Sequence, residues 1–406
     1  MVPKSTRSSR KGLPRSRLLS DAGETDLLAC GVDPASLPYL LPKLHHKNLL
    51  VEGVKLYAAN ILKQSMLSIG GDVAVHRHAV SGKVDISNCV IMGDLRHYKQ
   101  LIDKLKLQPG LESLAESIRE QIYRQESVSE LKHCCRTCTW EKKPAIMGIL
   151  NATPDSFSDG GMWLDRDAAI EHGLDMAKHG ADIIDVGGES SRPGAAPVDE
   201  KEEISRVIPI IKELSSILDV PISIDTTKSA VARAAVQAGA TIINDITALK
   251  SDPEMIHLAR ETGSAVVLMH MRGNPENMQH DTCYENIIRE IYEFLDERIN
   301  ACLEEGISPG SIIVDPGIGF GKDITGNLTI LHHIEDFKSL GMPILLGHSR
   351  KTFIGKILDT APHEREEGTD AVTAWAAIHG VDLVRVHDVL RTSKILSVIR
   401  AIMEIA

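Results

Sequence analysis

Between Pro144 and Ala406 the sequence repeats one alternation eight times, a short apolar run followed by a stretch with helical periodicity. The runs are Ala145–Leu150, Asp182–Val186, Pro221–Ile224, Thr241–Asn244, Ala265–Met269, Ser311–Val314, Met342–Leu346 and Leu383–Val386. The clearest intervening helix, Tyr284 to Glu305, sets Ile287, Ile288, Ile291, Leu295, Ile299 and Cys302 on one stripe. Strands that are apolar along their whole length are covered on both faces, which means a parallel sheet wrapped by helices. Eight such units in roughly 260 residues predict a closed TIM (β/α)8 barrel.

A barrel makes a statement about chemistry, because active sites gather where the strands end at their carboxyl termini. Standing there are Asn151, the Gly187–Arg192 stretch, Asp225 and Thr226, Asn244 and Asp245, Met269 and His270, Asp315, the His348–Lys351 stretch, and Arg385, His387 and Asp388. Helix capping accounts for one or two of these polar groups. It does not account for Asn244 or Arg385, which end otherwise apolar strands, so one constellation at the barrel mouth is the economical reading. Arg385 and His387 are two apart and share a side of their strand. Together with Asn151 they suit a polyanion such as pyrophosphate, and the Asn151 carboxamide offers an oxygen to Mg²⁺. Asp225, Asn244 and Asp315 offer the donor and acceptor edges that a flat nitrogen heterocycle needs.

The remainder is less informative. Residues 26–140 predict a small α/β domain with strands over Lys47–Val54, Asp72–Val80 and Cys89–Gly93 and helices over Tyr57–Ile69, Leu95–Leu105 and Leu111–Tyr123. No phosphate loop or dinucleotide fingerprint stands in it. His76 and His78 share a strand face in this reading, with no third group at metal-ligand spacing. The His133, Cys134, Cys135 and Cys138 cluster contains one CxxC and no second pair, so packing is preferred over zinc or redox chemistry. Residues 1–25 carry Lys4, Arg7, Arg10, Lys11, Arg15 and Arg17; they read as a disordered basic arm, with an organelle-targeting leader as the other reading. A formal charge of -11, from 56 acidic and 45 basic residues, argues against nucleic acid as a partner. No apolar run is long enough for a membrane span. Seven irregularly spaced cysteines suggest reduced thiols and a cytoplasmic protein.

Eight motifs in order make the barrel segment closely resemble dihydropteroate synthase, a folate-pathway family of pterin-binding TIM barrels. They are GILNATPDSFSDGG from Gly148, DIIDVGGESSRPGA from Asp182, ISIDTTK from Ile222, IINDI from Ile242, LMHMRGNPENMQ from Leu268, DPGIGFGK from Asp315, GHSRKTFIG from Gly347 and VRVHDV from Val384. The resemblance implies condensation of 6-hydroxymethyl-7,8-dihydropterin pyrophosphate with p-aminobenzoate to give dihydropteroate and pyrophosphate. It implies that Asp225, Asn244, Asp315 and Lys351 hold the pterin ring, with Met269 and Phe320 as apolar contacts. It implies pyrophosphate contacts from Arg385 and His387, and an Asn151 that meets a pyrophosphate-bound Mg²⁺. Ser191 and Arg192 match a second loop that, with the first loop from Thr153 to Gly161, completes the p-aminobenzoate pocket. Ser349, Arg350 and Thr352 would meet the carboxylate of that substrate at a helix start. The family also implies a homodimer and a sulfonamide target.

Three places depart from the usual family wording: Ser191 in place of threonine, the loop beginning at Arg272, and Gly347–His348 at the end of the seventh strand. The rival readings are a methyltransferase that moves methyl from a reduced folate to a corrinoid, and a barrel retained as a non-catalytic scaffold. Neither needs a pyrophosphate cradle beside a seat for an aromatic acid.

Overall fold

The computed structural model describes residues 19, 22–128, 144–152, 161–190, 197–274, 278 and 281–405. The basic residues Lys4 to Arg17 of the arm, the cysteine cluster, Ser191, Arg192 and most of the first loop lie outside the described residues, whereas the end of the arm runs into a helix at Glu24. The chain divides into two compact units, Met1–Ile122 and Tyr123–Ala406.

The front unit begins with the short helices α1 (Glu24–Ala29) and α2 (Leu37–Leu40). It continues with β1 (His46–Lys55), α3 (Leu56–Leu67), β2 (Asp72–Ala74), β3 (Ile86–Asp94), α4 (Leu95–Lys106) and α5 (Glu112–Val128). The sheet is antiparallel in the order β1-β3-β2. Its core sets Ala59, Leu62 and Met66 of α3 and Leu101 and Leu105 of α4 out of reach of solvent. Asp94 starts α4 by accepting from the backbone N–H groups of Arg96 and His97 at 2.9 and 3.2 Å. One expectation is corrected here. The alternation after Asp72 predicts a long strand, yet β2 stops at Ala74, and His76 closes a turn by accepting from Ala79 N–H at 2.8 Å. Alternation marks faces only where a partner strand continues, and β2 pairs with β3 only from Asp72 to Ala74. His76 and His78 therefore sit in a turn, not side by side on a strand.

The second unit alternates strand and helix, with two successive α-helices only before its last strand: β4 (Ala145–Asn151), α6 (Gly161–Lys178), β5 (Ile183–Gly187), α7 (Glu200–Ile217), β6 (Ile222–Asp225), α8 (Ser229–Ala238), β7 (Ile242–Asp245) and α9 (Pro253–Thr262) among the described residues. It ends with β8 (Ala265–Met269), α10 (Ile287–Glu305), β9 (Ile312–Asp315), α11 (Ile324–His332), β10 (Leu345–Leu346), α12 (Thr352–Leu358), α13 (Glu366–Ile378), β11 (Leu383–Val386) and α14 (Val389–Met403). All eight strands are parallel in the order β10-β11-β4-β5-β6-β7-β8-β9, and a bridge from Val314 to Ile344 joins the two ends into a barrel. Asp199, Asp252, Asn286, Asp323 and Asp388 cap five of the helices, and glycines 239, 263 and 306 end three more turns in the left-handed conformation. The strands are buried on both faces. Ile146, Ile184, Ile224, Ile243 and Val266 pack outward on the helices, whereas Ala145, Met147, Ile183, Ile242, Val267, Ile313, Leu345 and Leu383 fill the barrel floor. On four strands a polar residue follows a floor residue two positions later on the same side: Asp185 after Ile183, Asn244 after Ile242, Asp315 after Ile313 and Arg385 after Leu383.

Candidate active site

Register places the polar layer. Asn151 is paired with Gly187, Gly187 with Asp225, and Asp225 with Asn244, so four neighbouring strands end in one row. Gly187 leaves the gap in that row, since a Cβ there would stand 3.8 Å from Asp225 Oδ2 and 4.0 Å from Asn151 Oδ1. Across the barrel, Met269 is paired with Asp315.

Arg385 reaches inward and donates from Nε to Asp185 Oδ2 at 2.6 Å and from Nη2 to Asp225 Oδ2 at 2.7 Å. Asn244 Nδ2 donates to the same Asp185 oxygen at 3.0 Å. Arg385 thus joins the two ends of the expected site rather than standing only at the anion end. Asp185 is fully buried, and sequence reasoning gave it no role. The available signal was a single aspartate inside the apolar run IIDVG. Its Oδ1 and the hydroxyl of Ser223, its partner in register, lack a hydrogen-bond partner among the described residues.

The wall opposite carries Asp315, Lys351 and Phe320. Burial pushes Asp315 up to about 6, against the Gly317 N–H that it accepts at 2.7 Å and the charges of Lys351, Lys322 and Arg385. Burial, with help from Arg385, pushes Lys351 down to about 8, against the pull of Asp315 and Asp225. Burial also raises Asp225; Arg385 opposes that shift while Asp185, Glu203 and Asp245 add to it. The Lys351 ammonium lies 3.9 Å from the centre of the Phe320 ring. Phe320, Met269, Ile246 and Met278 form a small apolar cluster at this level. A cavity of about 660 Å³ opens beside Asp225 between Glu189, Thr226, Ile246, Thr247 and Met271.

At the anion end, His387 binds Ser349 twice: its Nδ1 lies 2.9 Å from Ser349 Oγ, and its backbone N–H donates to the same oxygen at 3.3 Å. Thr352 opens α12 with Lys351 as its cap residue. Arg350 behaves differently from the expectation. Its backbone is left-handed at φ 56°, its N–H donates to Thr369 Oγ1 at 3.1 Å, and its guanidinium pairs with Glu366 on α13. Ser191 and Arg192 are not described. Asn151 is half-buried at the end of β4, and no group of three metal-binding acids, histidines or cysteines exists among the described residues. The Asn151 carboxamide offers one neutral oxygen, a donor type that suits a hard cation.

Two of the departures find a purpose. Arg272 pairs with Asp281 at 3.3 Å, lies 4.5 Å over the Tyr284 ring and donates to the Cys283 carbonyl, so it ties the loop after β8 to the start of α10. His348 is fully buried, with Nε2 2.8 Å from Thr373 Oγ1, and seals β10 against α13.

The barrel segment is similar to known proteins. A family described as pterin binding enzyme matches residues 147–387. The dihydropteroate synthase of Synechocystis sp. is 48% identical over 264 residues, covering 65% of this chain and 91% of that protein. A probable bifunctional folylpolyglutamate synthase/dihydropteroate synthase of Haloferax volcanii is 40% identical over 344 residues, which is 82% of this chain and 40% of that protein. That similarity extends past the barrel into the front unit. The dihydropteroate synthase of Xanthomonas albilineans with 4-aminobenzoic acid aligns with a TM-score of 0.62 at 43% identity, over 66% of this chain and 95% of that one. The same enzyme in complex with 7,8-dihydropteroate aligns at 0.61 and 40% identity, over 66% and 97%.

Proposed function

The chain belongs to the dihydropteroate synthases, and on that premise we propose how its residues join 6-hydroxymethyl-7,8-dihydropterin pyrophosphate to p-aminobenzoate. The observation that carries this reading is Arg385, bridged to Asp185 and Asp225 in a rim that also holds Asn244, Asp315 and Lys351. The pterin ring lies against Phe320 and Met269 and exchanges hydrogen bonds with Asp225, Asn244 and Asp315. Its pyrophosphate faces Arg385, His387 and Asn151. The bond between the exocyclic methylene and its oxygen breaks with both electrons leaving on pyrophosphate, whose growing charge Arg385 and His387 meet. The methylene cation is stabilised by the electron-rich ring and by the nearby carboxylates Asp225 and Asp315. The amine of p-aminobenzoate supplies its lone pair to the methylene and then loses a proton to water. No strong base is needed, which accounts for a rim rich in positioning groups. Ser349 and Thr352, with the loop residues Ser191 and Arg192, make up the proposed seat of the aromatic acid, while Arg350 is turned to Glu366 on α13.

We also propose that Mg²⁺ is carried by the pyrophosphate and that Asn151 gives it one protein oxygen. When bound, it adds positive charge at the leaving group. The relatives are synthases, so a corrinoid methyl transfer and a retired scaffold have no support beside this reading. A homodimer is proposed through the apolar outer face of α11, α12 and α13, where Leu328, Ile357, Leu358, Trp375 and Ile378 are exposed; sedimentation velocity of the full chain checks it. The irregular spacing of the seven cysteines carries the proposal of reduced thiols and a cytoplasmic location. Among the described residues no helix is long and apolar enough to cross a membrane. The test of the activity is the mass of the product when chain, pterin pyrophosphate, p-aminobenzoate and Mg²⁺ are mixed. Dihydropteroate is the expected mass; a reaction yielding only hydrolysed pterin would defeat the proposal.

A further inference from the structure

The mechanism above leaves one buried cation unused. Lys322 is 3% exposed, and its ammonium lies 2.8 Å from the Phe320 carbonyl, 3.2 Å from the His270 carbonyl and 3.0 Å from His270 Nδ1. Burial lowers the Lys322 pKa to about 7, against the pull of Asp315; in the ammonium form three donors meet three acceptors, which is the full capacity of the group. The arrangement requires the His270 ring to be neutral, and burial together with the Lys322 charge holds its pKa far below the ordinary value. That ring is wedged edge-on against Phe294 at 5.0 Å. The acceptors come from two different loops: His270 follows β8, and Phe320 follows β9. Gly317 permits the approach, because a Cβ there would lie 1.9 Å from the His270 carbonyl oxygen. From the other side Asn327 closes the loop: its Oδ1 accepts from Gly319 N–H at 2.7 Å, and its Nδ2 donates to the Lys322 carbonyl at 3.2 Å. Phe320 is therefore gripped by its carbonyl while its ring faces Lys351.

We propose that Lys322 is a positioning residue for the pterin ring, tying the β8 and β9 loops together through His270 and Phe320 so that the Phe320 ring is fixed where the heterocycle packs. This rests on the pterin reading of the site. Burying an ammonium is costly unless its partners are well placed, and a purely structural need would be met by an apolar side chain at less cost. What the ammonium adds is a fixed position for one carbonyl beside the binding wall.

The test compares Lys322→Met with Lys322→Gln, which keeps two donors without the charge, and with Phe320→Ala. For Lys322→Met the expected result is a KM for dihydropterin pyrophosphate raised about tenfold, with the KM for p-aminobenzoate within about twofold. Lys322→Gln restores part of the loss. In the Phe320→Ala background Lys322→Met adds little, because both act through one ring. Unchanged pterin KM, an equal rise in both KM values, or full additivity with Phe320→Ala overturns the proposal. If neither lysine variant folds, His270→Ala removes one acceptor and carries the same comparison, with a smaller pterin-specific rise expected and no rise overturning it. Parental chain that neither turns over nor binds dihydropterin pyrophosphate in calorimetry overturns the site reading and this proposal together. Turnover by the parental chain with unaltered variants overturns the role of Lys322 alone.

Discussion

Arg385 shows why a single site residue has to be probed with two substitutions. Its partner Asp185 is fully buried, so Arg385→Ala leaves that carboxylate with the Asn244 amide but no cation, as well as removing a donor to the leaving group. The predicted outcome is a kcat/KM lower by about 10²–10³ together with a fall in Tm of several degrees. Arg385→Lys keeps the charge but not the two-pronged geometry, and is predicted to lose a similar factor in kcat/KM with a much smaller change in Tm. The pH dependence follows from the buried titrating groups of the rim, Asp315 and Asp225 on the acid side and Lys351 on the alkaline side. Asp315 must be ionised to accept from ring N–H groups, and it gains its proton as pH falls through about 6. Lys351 must be an ammonium, and it loses its proton as pH rises through about 8. A bell-shaped profile of kcat/KM is expected, and Lys351→Arg removes the Lys351 share of the alkaline limb and leaves the share of Lys322, whose pKa burial lowers to about 7. The stability signs run the opposite way. The folded state holds the Asp315 proton after the unfolded chain has released it, so stability falls as pH rises towards 6; the depressed Lys351 pKa makes stability rise again as pH climbs past 8. The empty site is thus least favourable where it works, and ligand should raise Tm most between pH 6 and 8. Arg350 and Asp185 show what sequence could not supply at this scale. A motif names a residue, but whether its side chain turns to Glu366 or to Arg385 depends on a helix or strand far away in the chain.

Elements were the most legible level. Seven of the eight apolar runs became strands within a residue or two, because a strand buried on both faces has to be continuously apolar. The seventh run, Met342–Leu346, was reduced to Leu345–Leu346, although Ile344 still bridges to Val314 and closes the barrel. In the front unit the alternation after Asp72 misled, since periodicity cannot report where a neighbouring strand stops. The loop after β7 was equally silent. Ala248 and Leu249 are both left-handed without a glycine, held by Asp245, which accepts from Thr247 and Leu249 N–H groups, and by Arg298, which donates to both carbonyls. The loop after β9 gives the sharpest prediction for an element. Gly317 has φ 72° and no room for a Cβ, so Gly317→Ala should push the β9 loop away from His270. A loss of kcat/KM of tenfold or more is expected, about 1.4 kcal/mol at least, with far-UV circular dichroism unchanged. Parental kinetics in that variant would show that the loop contact has no bearing on the site.

On the scale of the whole molecule, the catalytic reading belongs to the second unit. The barrel alone matches nearly the full length of the Synechocystis synthase, and the similarity that continues into the front unit appears in the longer Haloferax protein. A chain carrying residues 123–406 is therefore predicted to keep a kcat close to that of the full chain, measured at saturating substrates. A large loss would assign the front unit a part in turnover. The central claim, that this barrel expels pyrophosphate from a pterin only to hand the methylene to an aromatic amine, is tested most directly by following pyrophosphate release with and without p-aminobenzoate. Release that depends on the amine and equals dihydropteroate formed, mole for mole, is the predicted result. Release that proceeds at the same rate without the amine, or with no dihydropteroate to match it, would contradict the account.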